Sequence, residues 1–89
     1  MQSFEALYHV PIMHRLIPVR SRSRGGRMPA TYWEHEEYDA RGRLIARYES
    51  YIESRPSEGE ARSGWRKYSA AGHLIGQDTT LPLSLAEAA

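Results

Sequence analysis

The stretch Tyr38-Asp39-Ala40-Arg41-Gly42-Arg43-Leu44-Ile45 returns thirty residues later as Tyr68-Ser69-Ala70-Ala71-Gly72-His73-Leu74-Ile75. In each copy a short acceptor side chain, Asp39 or Ser69, opens a turn and can bond the backbone two residues on. Gly42 and Gly72 close it, where a positive φ costs glycine nothing. A three-residue hairpin loop ending in a glycine bulge satisfies both requirements. It pairs Asp39 with Arg43 and Ser69 with His73. One step out, Tyr38 then lies opposite Leu44 and Tyr68 opposite Leu74, aromatic–aliphatic pairs worth about 0.2–1 kcal/mol each over Ala–Ala. A tip written twice predicts two β-hairpins, and hence four antiparallel strands.

Tyr-Asp-x-x-Gly-Arg-Leu at residues 38–44 resembles the core of the bacterial YD (RHS-type) repeat. Residues 68–74 match it with Ser69 in place of Asp and His73 in place of Arg. In that family long arrays of such hairpins build a large shell around a toxin or a cell-surface module. The resemblance covers the two tips alone, in a chain with two copies and no array. It implies hairpin geometry and carries over no activity, because the motif has no catalytic residues.

Eighty-nine residues fit a single small domain, 1–89. A chain of this size buries only about 60–65% of its unfolded surface, so a partner or a second copy would help to stabilise it. There is no cysteine, hence no disulfide and no thiolate chemistry. The first residues lack a signal-peptide pattern and no apolar run reaches membrane-spanning length. A cytoplasmic protein that does not engage a membrane is the expectation. The net charge of +1 hides an uneven distribution. Residues 1–30 carry five Arg against one Glu, while 31–61 carry eight acids against four Arg.

Along the chain, residues 4–10 are short, apolar and followed by Pro11, which reads as an edge strand or extended lead-in. Residues 12–20 read as a strand, with Pro18 favouring an edge position because proline cannot donate to a ladder. Residues 20–29, with Arg20, Arg22, Arg24 and Arg27 among Ser and Gly, read as a mobile basic loop. Residues 30–38 and 43–53 flank the first tip as strands. In the second of these Leu44, Ala46, Tyr48, Ser50 and Ile52 share one face. Ile45 and Tyr51 break the alternation. The tip register also sets Glu34 and Glu36 against Tyr48 and Ala46, a conflict that a bulge or a solvated corner would resolve. After a polar loop at 54–62 comes the second hairpin, 63–69 and 73–79, with Trp65 facing Gln77. Residues 84–89 read as a disordered tail. The fold expected is all-β, a five- or six-stranded antiparallel meander. It would form a strongly twisted sheet or a small open barrel, since no convincing helix exists to cover a flat one.

Site chemistry is sparse. The four arginines of the basic stretch would suit a phosphate backbone, and Tyr51, Trp33 and Trp65 would suit stacked bases. The plainer reading is a solvated loop answering Glu34, Glu36 and Glu37, and a near-neutral total charge favours it. His35 sits between two glutamates, but neighbours on a strand point to opposite faces and cannot converge on one ion. There is no HExxH, no nucleophile elbow and no phosphate loop, so no metal site, no cofactor and no catalytic residue is expected. Six Tyr and two Trp exceed what so small a core requires and suit an interface, with Trp33 or Trp65 on an accessible face. The leading expectation is a non-catalytic β module that binds another protein or itself through an aromatic face or an unpaired edge. The alternative is a single-stranded nucleic-acid-binding module that uses Arg20, Arg22, Arg24, Arg27 and exposed aromatics.

Overall fold

A computed structural model describes residues 3–26, 29–55 and 60–79. A one-turn helix, α1 (Phe4–Leu7), precedes five strands: β1 (Arg15–Arg24), β2 (Ala30–Tyr38), β3 (Leu44–Arg55), β4 (Glu60–Ser69) and β5 (Leu74–Asp78). Each strand pairs antiparallel with the next, in the order β1-β2-β3-β4-β5. The chain is therefore all-β, a single five-stranded meander. β1 and β5 are its two edges, so the sheet stays open and does not close into a barrel.

Both hairpin tips form as the repeat requires. The Asp39 N–H donates to the Arg43 carbonyl at 2.9 Å and the Gly42 N–H to the Asp39 carbonyl at 3.0 Å. At the second tip the matching bonds are Ser69 to His73 at 2.8 Å and Gly72 to Ser69 at 2.9 Å. Asp39 Oδ1 accepts from the backbone N–H groups of Arg41 and Arg43, and Ser69 Oγ accepts from that of His73. Gly42 and Gly72 sit at φ 81° and 93°.

Tyr38 pairs with Leu44 and Tyr68 with Leu74, and one residue is then skipped on the return strand of each hairpin. Glu37 pairs with Ala46 and Lys67 with Gly76, which leaves Ile45 and Ile75 as bulge residues. This slip resolves the conflict in the sequence pattern. Glu34 and Glu36 face Glu49 and Arg47, while His35 faces Tyr48. It also moves the expected partner of Trp65, which lies opposite Asp78 while Gln77 lies opposite Arg66.

Two elements differ from the sequence reading. Residues 4–7 are helical and not extended. Ser3 caps the turn by accepting from the Ala6 N–H at 3.1 Å. His9, at φ 57°, ends it, with the Val10 N–H bonded to the Glu5 carbonyl and the His9 N–H to the Ala6 carbonyl. That is a Schellman-type stop with histidine where glycine is usual. Phe4, Leu7 and Tyr8 carry the helical i, i+3, i+4 spacing, and this is the signal that the following Pro11 obscured.

The second difference is the basic stretch. Arg20 to Arg24 continue β1 and do not loop, so the connection to β2 is shorter than expected. Pro18 is on an edge strand as expected. The register steps from Pro18–His35 to Arg20–Glu34 and leaves Val19 unpaired. Arg27 and the tail 84–89 lie outside the described residues.

No atom lies within 4 Å of a Cβ built on Gly42. The Cβ of a valine there meets no clash, and the positive φ is the cost that a β-branched residue incurs. Gly42→Val should lower stability by about 1–3 kcal/mol in urea unfolding, and Gly42→Asn should recover most of the loss. An unchanged midpoint for the valine variant would refute the turn geometry.

Candidate interaction surface

The two faces of the sheet differ in kind. Trp33, His35 and Glu37 on β2 and Ala46, Tyr48 and Ser50 on β3 are buried on one side. The N-terminal turn covers them. Tyr8 stacks on Tyr48 with ring centroids 4.0 Å apart and planes 14° apart, and Trp65 meets Tyr8 edge-on at 5.4 Å. Phe4 packs on His35 at 4.4 Å and on Trp33 at 5.6 Å. The Tyr8 hydroxyl shares a hydrogen bond with Ser50 Oγ. Burial pushes the Tyr8 phenol well above its ordinary pKa.

Below this aromatic layer a carboxylate is enclosed. Glu37 is 2% exposed, accepts from the Tyr48 hydroxyl at 2.6 Å and meets His14 Nδ1 at 2.5 Å. Burial alone would raise its pKa. The hydrogen bonds from Tyr48 and His14, together with the charge of Lys67, more than offset that and hold the carboxyl below its ordinary range. The same arrangement raises the Tyr48 phenol, through burial first and then its bond to Glu37. His14 thus pins the end of the N-terminal segment to the sheet. His35 is buried, with its pKa lowered by desolvation, and is no surface histidine.

The opposite face is open. Its rows run across the strands as Arg20, Glu34, Glu49 and Arg66, then Arg22, Tyr32, Tyr51 and Gly64, then Ile17, Glu36, Arg47 and Tyr68. Charges of both signs alternate with tyrosine rings. Arg20 clamps Glu34 through Nε at 3.2 Å and through Nη2 at 2.9 and 3.1 Å. The Arg22 guanidinium lies 5.6 Å from the centre of the Tyr32 ring, and that of Arg66 5.4 Å from Tyr51. The Tyr32 hydroxyl donates to Glu53 at 2.6 Å, which raises the phenol's pKa. A concavity of about 290 Å³ is lined by Val19, Glu34, Glu36, Arg47, Glu49 and Tyr68. Tyr51 lies across Gly64, where an added Cβ would approach its hydroxyl to 2.8 Å and the Asp78 carbonyl to 2.6 Å. The glycine on β4 is therefore a seat for the ring.

The residues expected to bind are split between the two faces. Arg20, Arg22 and Tyr51 lie on the open face, and Arg24 continues the same side of β1 by alternation. Trp33 and Trp65 do not lie on an accessible face. Trp33 is 4% exposed, and both rings pack into the aromatic layer. Both indole Nε1 atoms, and His35 Nδ1, are buried without a hydrogen-bond partner. Asp39, Gly42, Ser69 and Gly72 shape the turns. Their role is architectural, and contacts from the Arg43 and Arg41 backbone hold the Asp39 carboxyl below its usual pKa. The sequence reading missed Tyr8, His14 and Glu37 as partners.

No group of His, Asp and Glu suited to a metal ion occurs among the described residues. None of their helices is long and apolar enough to cross a membrane. Comparison with protein-family models, with curated proteins and with solved structures gives no match to this chain.

Glu37 makes acid stability testable. A carboxyl whose folded pKa is depressed adds stability that is present above its unfolded pKa, near 4.3, and is lost as pH falls through the folded value. Glu37→Gln should lower stability at neutral pH by about 1–3 kcal/mol, because Tyr48 and His14 lose an ionic acceptor. The acid limb of a pH–stability profile should then be shallower than in the parent. A limb of unchanged slope would remove Glu37 from that role.

Proposed function

We propose that the chain is a small non-catalytic β module that acts by association with another protein or with a second copy of itself. The observation that carries this is the one-sided cover. One face of the sheet is sealed by the chain's own aromatics, while the other presents Tyr32, Tyr51 and Tyr68 between alternating arginines and glutamates. Tyrosine and arginine give large contact area with polar tips and are enriched where proteins meet. Mixed charge sets register and rejects wrong partners. Two sheet edges add backbone groups that a partner strand can use.

Nucleic-acid binding is the second reading, favoured by Arg22 on Tyr32 and Arg66 on Tyr51, pairs of the kind that also receive bases. Glu34, Glu36, Glu49 and Glu53 weigh against it. They interleave the same face and would repel phosphates, and the basic stretch spends Arg20 on Glu34.

Sedimentation velocity over a wide concentration range tests the first reading. Reversible self-association is expected, weakened by Tyr51→Ser and Tyr68→Ser with the melting temperature checked in parallel. A labelled single-stranded oligonucleotide followed by anisotropy tests the second. The tryptophans are poor reporters of it because both lie on the covered side. A chain that stays monomeric and binds the oligonucleotide with steep salt dependence would replace the first reading with the second.

A further inference from the structure

The outer edge of β1 has a chemistry that selects its partner. β1 is the first strand of the sheet, so alternate backbone N–H and C=O groups point away from β2 along its length. In its first half Pro18 removes a donor and the skipped residue Val19 breaks the register. From Arg20 to Arg24 the register with β2 is unbroken, ending at Arg24 opposite Ala30. These five residues are exposed and carry three positive charges and no negative one. Alternation puts Arg20, Arg22 and Arg24 on the open side of the sheet and Ser21 and Ser23 on the other.

From this edge we infer a docking site for an extended acidic segment of another protein. That segment adds as a further strand, with glutamate or aspartate at every second position and small or hydroxyl residues between. The inference rests on the association reading above and specifies its partner.

Charge excludes the obvious competitor. A second β1 pairing antiparallel about a two-fold axis through Arg22 would set Arg22 against Arg22 and Arg20 against Arg24, and like charges directly opposite are unfavourable. The inner edge of the same segment shows what does fit. β2 sets Glu34 against Arg20 in a forked clamp and Thr31 against Ser23, whose hydroxyls are 3.4 Å apart. An acidic strand outside would extend that pattern on the other side of the arginines. β5, the opposite edge, exposes Leu74 and Ile75 with Asp78 at its end and has none of this charge.

An edge can also carry arginines simply to deter pairing, and the test separates that from docking. The probe is an end-capped synthetic peptide of alternating glutamate and threonine, titrated into the isotope-labelled full-length chain. Controls are the lysine-for-glutamate peptide and the same acidic peptide N-methylated at alternate amides, which keeps the charge and removes one side of the ladder. Saturable binding is expected, with amide shifts and slowed hydrogen exchange at Arg20–Arg24. Affinity should be at least about tenfold weaker for the N-methylated peptide, a difference near 1.4 kcal/mol. Arg22→Glu should lose the acidic peptide and gain the lysine one. Should that variant melt early, Arg24→Glu serves instead. Equal binding of the N-methylated peptide would reduce the effect to polyanion attraction and overturn the inference, as would shifts confined to β3 and β4. No binding, beside demonstrated self-association of the chain, would remove the acidic strand and leave the association reading standing.

Discussion

The contact between Tyr8 and Tyr48 is what turns a sheet into a fold. A five-stranded open sheet has two faces and no interior. Without a cover, Trp33, Tyr48 and Trp65 would lie in water. A one-turn helix has no stability of its own, because nucleating a turn fixes several residues for a single bond. Each needs the other. Burying a large side chain is worth about 1.5–3 kcal/mol and a well-placed aromatic pair about 0.5–1.5 kcal/mol more. The layer of Phe4, Tyr8, Trp33, His35, Tyr48 and Trp65 therefore outweighs any local propensity in the segment. Polar contacts then place the cover. The Ser50 hydroxyl takes up the otherwise buried Tyr8 phenol, and Glu37 holds His14 at the end of the segment.

The cover also decides what is left for function. By consuming one aromatic face, it leaves the other as the sole broad surface of the described sheet. On that surface the rows through Glu34 and Glu36 mix both signs across the strands, and the arginines of β1 run along its edge. Arg20 meets Glu34, Tyr32 binds Glu53 while Arg22 lies on its ring, and Arg47 lies between Glu36 and Tyr68. A phosphate backbone needs a continuous positive track. A protein surface with its own mixed charges needs no such track. Local pairing thus separates the two functional readings better than net charge does.

The turns were legible in the sequence because their chemistry is local. Asp39, Gly42, Ser69 and Gly72 need only their immediate neighbours to define a loop, and the tyrosine–leucine pairs follow within one step. The phase of the strands was half legible. Ile45 stood out as an exception to the alternation, and it is the bulge residue that puts Glu34 and Glu36 on the open side. What did not show was tertiary. Residues 4–8 have helical spacing over barely one turn, and only the rings beneath decide between helix and extended chain. Arg20 to Arg24 have a loop-like composition, yet pairing with a β-prone partner, β2, makes them a strand. The sequence suggests an accessible face for Trp33 or Trp65, since nothing in their neighbourhood announces that Phe4 and Tyr8 will cover both.

The repeated tip does more than reverse the chain. Each copy inserts one unpaired residue, Ile45 or Ile75, just after its turn, and a one-residue slip exchanges the faces of everything beyond it. At the first hairpin this sends His35 and Tyr48 inward together and puts Glu34 and Glu36 outside. At the second it sets Arg66 opposite Gln77, with Lys67 opposite Gly76 and over the Tyr48 ring at 5.6 Å. Without the slip at residue 45, Glu34 would lie opposite Tyr48 and Glu36 opposite Ala46, both on the side of the aromatic layer. Burying two further carboxylates there would carry a desolvation penalty on the order of several kcal/mol each. The bulge is therefore a condition for the covered face to exist, and through it for the sorting of charge onto the open face and the edge of β1.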